Sequence, residues 1–197
     1  MIRLIHFCSE ELSSALGSHR NTYNPDFMVS KLLLMSGAST NFVNSGMLDG
    51  APLLSVFAYN GFEDMVKLFI DFEANVNCVN SEGMTPLMFA CKRGHCEISR
   101  LLLANGAVLN KTDRSEKCAL VYAAEFGYLD IVELISSCDW PTRRNNDLTL
   151  GEALQQATVM SASNGSIDVL EYLLDMPEVS INGNDTLTGK NLLFVNY

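Results

Sequence analysis

Reactive side chains are densest between positions 91 and 96, where Cys91 and Cys96 flank His95 at a Cys-x4-Cys spacing. Two thiols and an imidazole are the elements of a metal site or an activated nucleophile. Zinc takes four ligands, and no second half-site accompanies these three. Catalysis by the imidazole needs an orienting acid and a placed nucleophile, and the sequence supplies neither. The competing expectation is a small, buried thiol at Cys91 and a His95 ring that hydrogen-bonds a neighbouring loop. The stretch Gly183 to Asn191 resembles a phosphate-cradling loop. However, five residues separate Gly183 from Gly189-Lys190 where four are required, and Asn191 replaces the hydroxyl residue that would hold magnesium. No catalytic residue, cofactor, metal or small-molecule substrate is therefore expected. Two further groups point to binding instead. The nine methionines, Met84 foremost, are either core fillers or an adaptable surface. Trp140 is either an interface anchor or packed against the segment that follows it.

Composition narrows the partners. The 197 residues are 48% hydrophobic with only 5 prolines, which describes a folded chain large enough to bury a core. A formal net charge of −10 repels phosphate, so nucleic acid and anionic membranes are not expected as partners. Lys92-Arg93 and Arg143-Arg144 are isolated basic pairs, which read as solvated charge. Met1 to Cys8 is too short and too polar for a signal peptide, and no stretch approaches the ~18 apolar residues of a membrane span. Direct membrane insertion is not expected. The six cysteines should then be reduced in a cytoplasmic setting, and the sequons at Asn164 and Asn184 idle.

Positioning of these side chains follows from an internal repeat. Gly94 lies 33 residues after Gly61 and 33 before Gly127, and Leu87 stands at the same step from Leu54 and Leu120. Gly83 matches Gly50, Ala90 matches Ala123, and Asn110 matches Asn77 at that spacing. In the most regular unit Thr85-Pro86-Leu87 opens a helix, with threonine to cap free amides and proline tolerated in the first turn. Gly94-His95 ends it with a left-handed reversal. Ile98, Leu101 and Leu102 give a second helix one buried face, and Gly106-Ala107 closes it. In this frame Cys91 falls where Ala124 stands, a small-residue packing position. Neither helix can hide its apolar face alone, so the units must stack.

The Thr-Pro-Leu and Gly-His signature at this period resembles the ankyrin repeat, which implies an all-α solenoid of helix-turn-helix units with hairpin loops. The expected units are a partial, degenerate one at 1–41, three at 42–79, 80–112 and 113–140, an insertion at 141–149, and a degenerate one at 150–184. Residues 185–197 read as the truncated start of another. In the first unit Val29, Leu32 and Leu33 are expected on the second helix, followed by Gly37-Ala38 and Asn41, with an earlier helix near Glu10 to Leu16. In the last, the first helix is expected over Glu152 to Ser163, ending at Gly165. Leu192, Leu193 and Phe194 would lack a covering helix.

A narrower resemblance rests on Val29-Ser-Lys-Leu-Leu-Leu, Gly50-Ala-Pro-Leu-Leu, Lys117-Cys-Ala-Leu-Val, Cys138-Asp-Trp, Ala153-Leu-Gln-Gln-Ala, Tyr172-Leu-Leu-Asp and Ile181-Asn-Gly-Asn-Asp-Thr-Leu-Thr-Gly. Together these are similar to the first ankyrin repeats of the TANC and rolling-pebbles scaffold family. The match departs at Thr188, where that family has tryptophan, and at Phe194-Val-Asn-Tyr. The resemblance implies a scaffold module that binds other proteins, at membrane-associated assemblies such as synapses or fusing myoblasts. Repeat stacks bind through hairpin tips and the outer faces of first helices. Register then selects Ser81, Glu82, Met84, Lys92 and Arg93 in one unit, and Arg114, Ser115, Glu125 and Phe126 in the next. A structural spacer without its own partner is the alternative.

Overall fold

A computed structural model describes residues 27–41, 43, 48–141 and 148–179. The Glu10 to Leu16 helix, Arg143-Arg144, the Gly183–Asn191 loop and the expected final repeat lie outside them. Among the described residues there are nine helices: α1 (Phe27–Met35), α2 (Leu53–Asn60), α3 (Glu63–Asp71), α4 (Pro86–Arg93), α5 (Cys96–Ala104), α6 (Ala119–Glu125), α7 (Leu129–Ser136), α8 (Leu150–Asn164) and α9 (Ile167–Leu174). Extended structure among these residues is limited to one bridge, Val43 to Pro52.

The helices form two rows. First helices α2, α4, α6 and α8 pack side by side, second helices α1, α3, α5, α7 and α9 form a parallel row, and each unit's two helices pack on each other. Contact is much denser in the first-helix row, where Ala58, Cys91, Ala124 and Ala162 put small, buried side chains at equivalent positions. One continuous core runs between the rows, through Phe69, Leu87, Leu102, Leu120, Ile131 and Leu173.

The turn between the helices of a unit has one conformation in all four complete units. Gly61, Gly94, Gly127 and Gly165 are left-handed, with φ of 80°, 75°, 77° and 72°. The next residue, Phe62, His95, Tyr128 or Ser166, has φ between −79° and −88° with ψ near 80°. Its amide donates back across the turn, to the carbonyls of Phe57, Ala90, Ala123 and Ser161 respectively. This is the bond pattern that satisfies the orphan carbonyls of a helix C-terminus and needs glycine at the left-handed position.

Helix starts are less uniform. Thr85 Oγ1 accepts from the Met88 amide at 3.3 Å, as the sequence predicts. Pro52 and Cys118 stand at the equivalent positions without a side-chain cap. Thr149 caps α8 reciprocally with Glu152, so this helix starts at Leu150 rather than Glu152 and reaches 15 residues against 7 or 8 in its counterparts. Val29, Leu32 and Leu33 lie on helix α1, as expected, but they are covered unequally. Leu33 packs on the core, but Val29 and Leu32 are 40% and 61% exposed, and Ser30 and Leu34 are buried instead. Among the described helices α1 packs mainly on α3, which covers one narrow side of it.

Among the described residues four left-handed positions lack glycine, Leu48, Asp49, Glu73 and Glu116, and two of them answer to a glycine in another unit. Glu73 (φ 60°) stands 33 residues before Gly106, and Glu116 (φ 59°) stands 33 after Gly83. A side chain in this region costs about 1–2 kcal/mol, partly offset because glycine loses more entropy on folding. We expect Glu116→Gly to raise stability by roughly 0.5–1 kcal/mol. Urea unfolding checks this; a midpoint equal to or below wild type would contradict strain at the site.

Candidate functional site

In α2, α4 and α6 a pair of residues precedes the reversing glycine: Tyr59-Asn60, Lys92-Arg93 and Glu125-Phe126, the last residue just past the helix. Because the turns are identical, these pairs line up across the stack at a 33-residue step. Aromatic rings hold three of these six residues, Tyr59, Lys92 and Arg93, across the unit boundaries. The Arg93 guanidinium lies 4.9 Å from the centroid of Tyr59, one unit back. Lys92 Nζ lies 5.5 Å from the centroid of Tyr122, one unit forward. Tyr122 also receives Lys117 at 5.6 Å, and Lys117 Nζ donates to Glu125 Oε2 at 2.9 Å. Both partners of that ion pair are largely shielded, so it outweighs an exposed pair. Each cation–ring contact is worth about 0.5–1 kcal/mol at a partly exposed site. Phe126 closes the row, 47% exposed.

The hairpin tips are organised by an Asx residue at a 33-residue step. Asn80 Oδ1 accepts from the amides of Glu82 and Met84 at 3.1 and 2.8 Å. Asp113 Oδ1 does the same for Ser115 and Lys117, at 2.8 and 3.0 Å. The second carboxylate oxygen of Asp113 accepts from the Tyr122 hydroxyl. Burial, and then this bond, push the Tyr122 hydroxyl well above its ordinary range, so it stays a donor. Adjacent tips are tied by the Arg114 amide donating to the Glu82 carbonyl at 2.9 Å and by an exposed Arg114–Glu82 ion pair.

Of the residues the sequence selects for partner contact, Ser81, Glu82, Arg93, Arg114, Ser115 and Phe126 are exposed, and Lys92 and Glu125 are half-buried. Met84 is not at the surface. Its amide is held by Asn80, which folds the residue inward, and its side chain is buried in the core. The Ser81 hydroxyl already donates to the Asp49 carbonyl at 2.7 Å. Sequence reasoning missed Tyr59, Tyr122, Lys117 and the two Asx residues. The signal for the Asx pair was present, since Asn80 and Asp113 share the 33-residue step.

The Cys91–His95–Cys96 group does not converge. Cys91 is fully buried, 3.8 Å from the Ser99 hydroxyl, and its burial pushes the thiol strongly upward, away from thiolate character. Burial likewise raises Cys118, to about 11. His95 Nε2 lies 3.1 Å from the Tyr59 carbonyl, so that nitrogen carries the proton and donates across the unit boundary to a helix-end acceptor. The same ring covers Gly61: a Cβ there would come within 2.7 Å of His95 Cε1. Trp140 Nε1 donates to the Ile135 carbonyl at 3.0 Å, and its ring packs half-buried on the core at the end of α7. No helix of the described residues is long and apolar enough to cross a membrane.

Comparison with known proteins agrees with this geometry. The family model for ankyrin repeats in three copies matches residues 19–115 and 75–146. Over 105 residues, or 53% of its length, the chain is 32% identical to a protein fem-1 homolog A-like of Mus musculus, spanning 15% of that protein. Over 86 residues, 43% of the chain, it is 37% identical to the ankyrin repeat and KH domain-containing protein mask of Drosophila melanogaster, spanning 2% of it. A putative ankyrin repeat protein of Acanthamoeba polyphaga mimivirus is 29% identical over 117 residues, covering 58% of this chain and 72% of the viral one. With the repeating turn, the two helix rows and a family match over more than half its length, the chain belongs to the ankyrin-repeat family.

Proposed function

We propose that the chain is a protein-binding module of a scaffold or adaptor, with partners docking across the first-helix ends and hairpin tips. The observation that carries this reading is the ordered row Tyr59, Arg93, Lys92, Tyr122 and Phe126, in which charged groups are seated on rings beside an exposed phenylalanine. Aromatic and arginine side chains held rigidly at a surface are the usual anchors of protein interfaces. Denser packing of the first-helix row supports a stack curved toward that row, so that its ends face an extended concave surface. Ser81, Glu82, Arg114 and Ser115 form its rim, and Lys92, Arg93, Glu125 and Phe126 its centre. The likeness of Gly50-Ala-Pro-Leu-Leu, Ala153-Leu-Gln-Gln-Ala and their companions to the TANC and rolling-pebbles repeats supports a scaffold in an intracellular, membrane-associated assembly. The mask and fem-1 relatives carry matching repeats as small parts of longer chains, so the likeness reaches the repeats alone.

Proximity labelling followed by pull-down with purified partners tests this. Phe126→Ala should weaken a validated partner by about tenfold or more, the size of an interface anchor. Its melting temperature should stay within about 2 °C of wild type, since the ring is exposed. Equal binding by wild type and variant would remove Phe126 from the surface, and no specific partner at all would favour a spacer.

A further inference from the structure

We infer that the Lys92-Arg93 step receives a short acidic peptide segment with an apolar side chain beside its carboxylates. The inference rests on the proposed binding role of the same face and names the chemistry of the partner. The pairing of charges carries it. Three carboxylates of the same two units are already committed: Glu125 to Lys117, Glu82 to Arg114, and Asp113 to the hairpin amides and the Tyr122 hydroxyl. Lys92 and Arg93 have no carboxylate within ion-pair distance among the described residues. In a chain of net charge −10, two adjacent unneutralised cations on one helix end are the natural place for a partner's negative charge.

The rings make the cations selective rather than merely present. Arg93, with its guanidinium 4.9 Å from the Tyr59 ring centroid, is held against a ring before binding, and a guanidinium can meet a carboxylate with a two-point bond. Less side-chain freedom is then lost on association. Phe126 occupies the equivalent helix end one unit along, roughly 10 Å away by helix packing distances, within reach of a neighbouring side chain of the same peptide. Size decides between anionic partners. Screening confines the field of each charge to about 8 Å at physiological ionic strength, so a segment of a few residues senses mainly this step. An extended polyanion, a nucleic acid or a lipid surface, would also meet the rest of an acidic protein.

The test is selection of random displayed peptides on the purified 197-residue chain, on Arg93→Gln, and on a Lys92→Glu/Arg93→Glu double variant, each first shown by circular dichroism to be folded. Wild type should enrich acidic peptides with an aromatic or aliphatic residue. A chosen peptide should bind at least tenfold more weakly to the double variant, severalfold more weakly to Arg93→Gln, and more weakly as salt rises. Neutral or basic peptides, or acidic ones that bind all three proteins alike, overturn the inference while leaving a protein-binding role intact. Enrichment of nothing overturns both. Stronger capture of heparin or phosphatidylserine vesicles than of the peptide, lost in the double variant, overturns the choice of a peptide.

Discussion

Gly94→Ala should destabilise the stack by about 2–5 kcal/mol, the sum of a left-handed backbone penalty of about 1–2 and an overpacking penalty of about 1–3. The first part follows from φ of 75°. The second follows from the next unit: a Cβ on Gly94 would overlap the Tyr128 ring, which lies over the turn. Gly106 separates the two parts, because it is also left-handed, at φ 84°, but a Cβ there would meet nothing within 4 Å. Gly106→Ala should therefore cost only about 1–2 kcal/mol. Urea unfolding of both variants measures the difference, and Tyr128→Ala placed on Gly94→Ala should return part of the loss. Equal midpoints for the two glycine variants would show that the ring does not restrain the turn. The consequence reaches the binding surface directly, since Gly94 follows Arg93 and sets where the guanidinium leaves the helix.

Much of this architecture was legible because the repeat acts on backbone conformation. Gly61, Gly94 and Gly127 recur at 33 residues since each must be left-handed, and Leu54, Leu87 and Leu120 recur since each fills the same buried slot. What the register could not show was direction and company. Met84 sits at a hairpin tip in sequence, yet the Asn80 side chain, bonded to two amides of the tip, turns it inward. Lys92, Arg93 and Glu125 read as free surface charges. In three dimensions two sit on rings from adjacent units and the third is paired with Lys117, contacts between residues 8 to 34 positions apart that no local pattern encodes. Which side of α1 is covered was illegible for a related reason. Its periodicity matches the other second helices, but a helix at the edge of the described stack is covered on one side only.

Leu87→Ala should cost about 2–5 kcal/mol, the range for removing a fully buried leucine whose cavity cannot collapse. Leu87 is 0% exposed in α4, and α4 packs on both α2 and α6. In a stack where each unit touches only its neighbours, a defect there weakens two interfaces at once, whereas a defect at an end weakens one. Leu173→Ala is the matched control, equally buried but in α9, which among the described helices packs on α7 and α8. Trp140, the single tryptophan, sits at the end of α7 and reports on the later units, while far-ultraviolet circular dichroism reports on every helix. In wild type the two signals should give one urea transition. In Leu87→Ala they should separate, because the units before α4 no longer unfold with those after it. Coincident transitions in the variant would mean that coupling runs through the hairpin bonds, such as Arg114 to Glu82, rather than through the core. The distinction bears on function: Tyr59, Arg93 and Phe126 come from three successive units, and they form one surface only while those units move as one body.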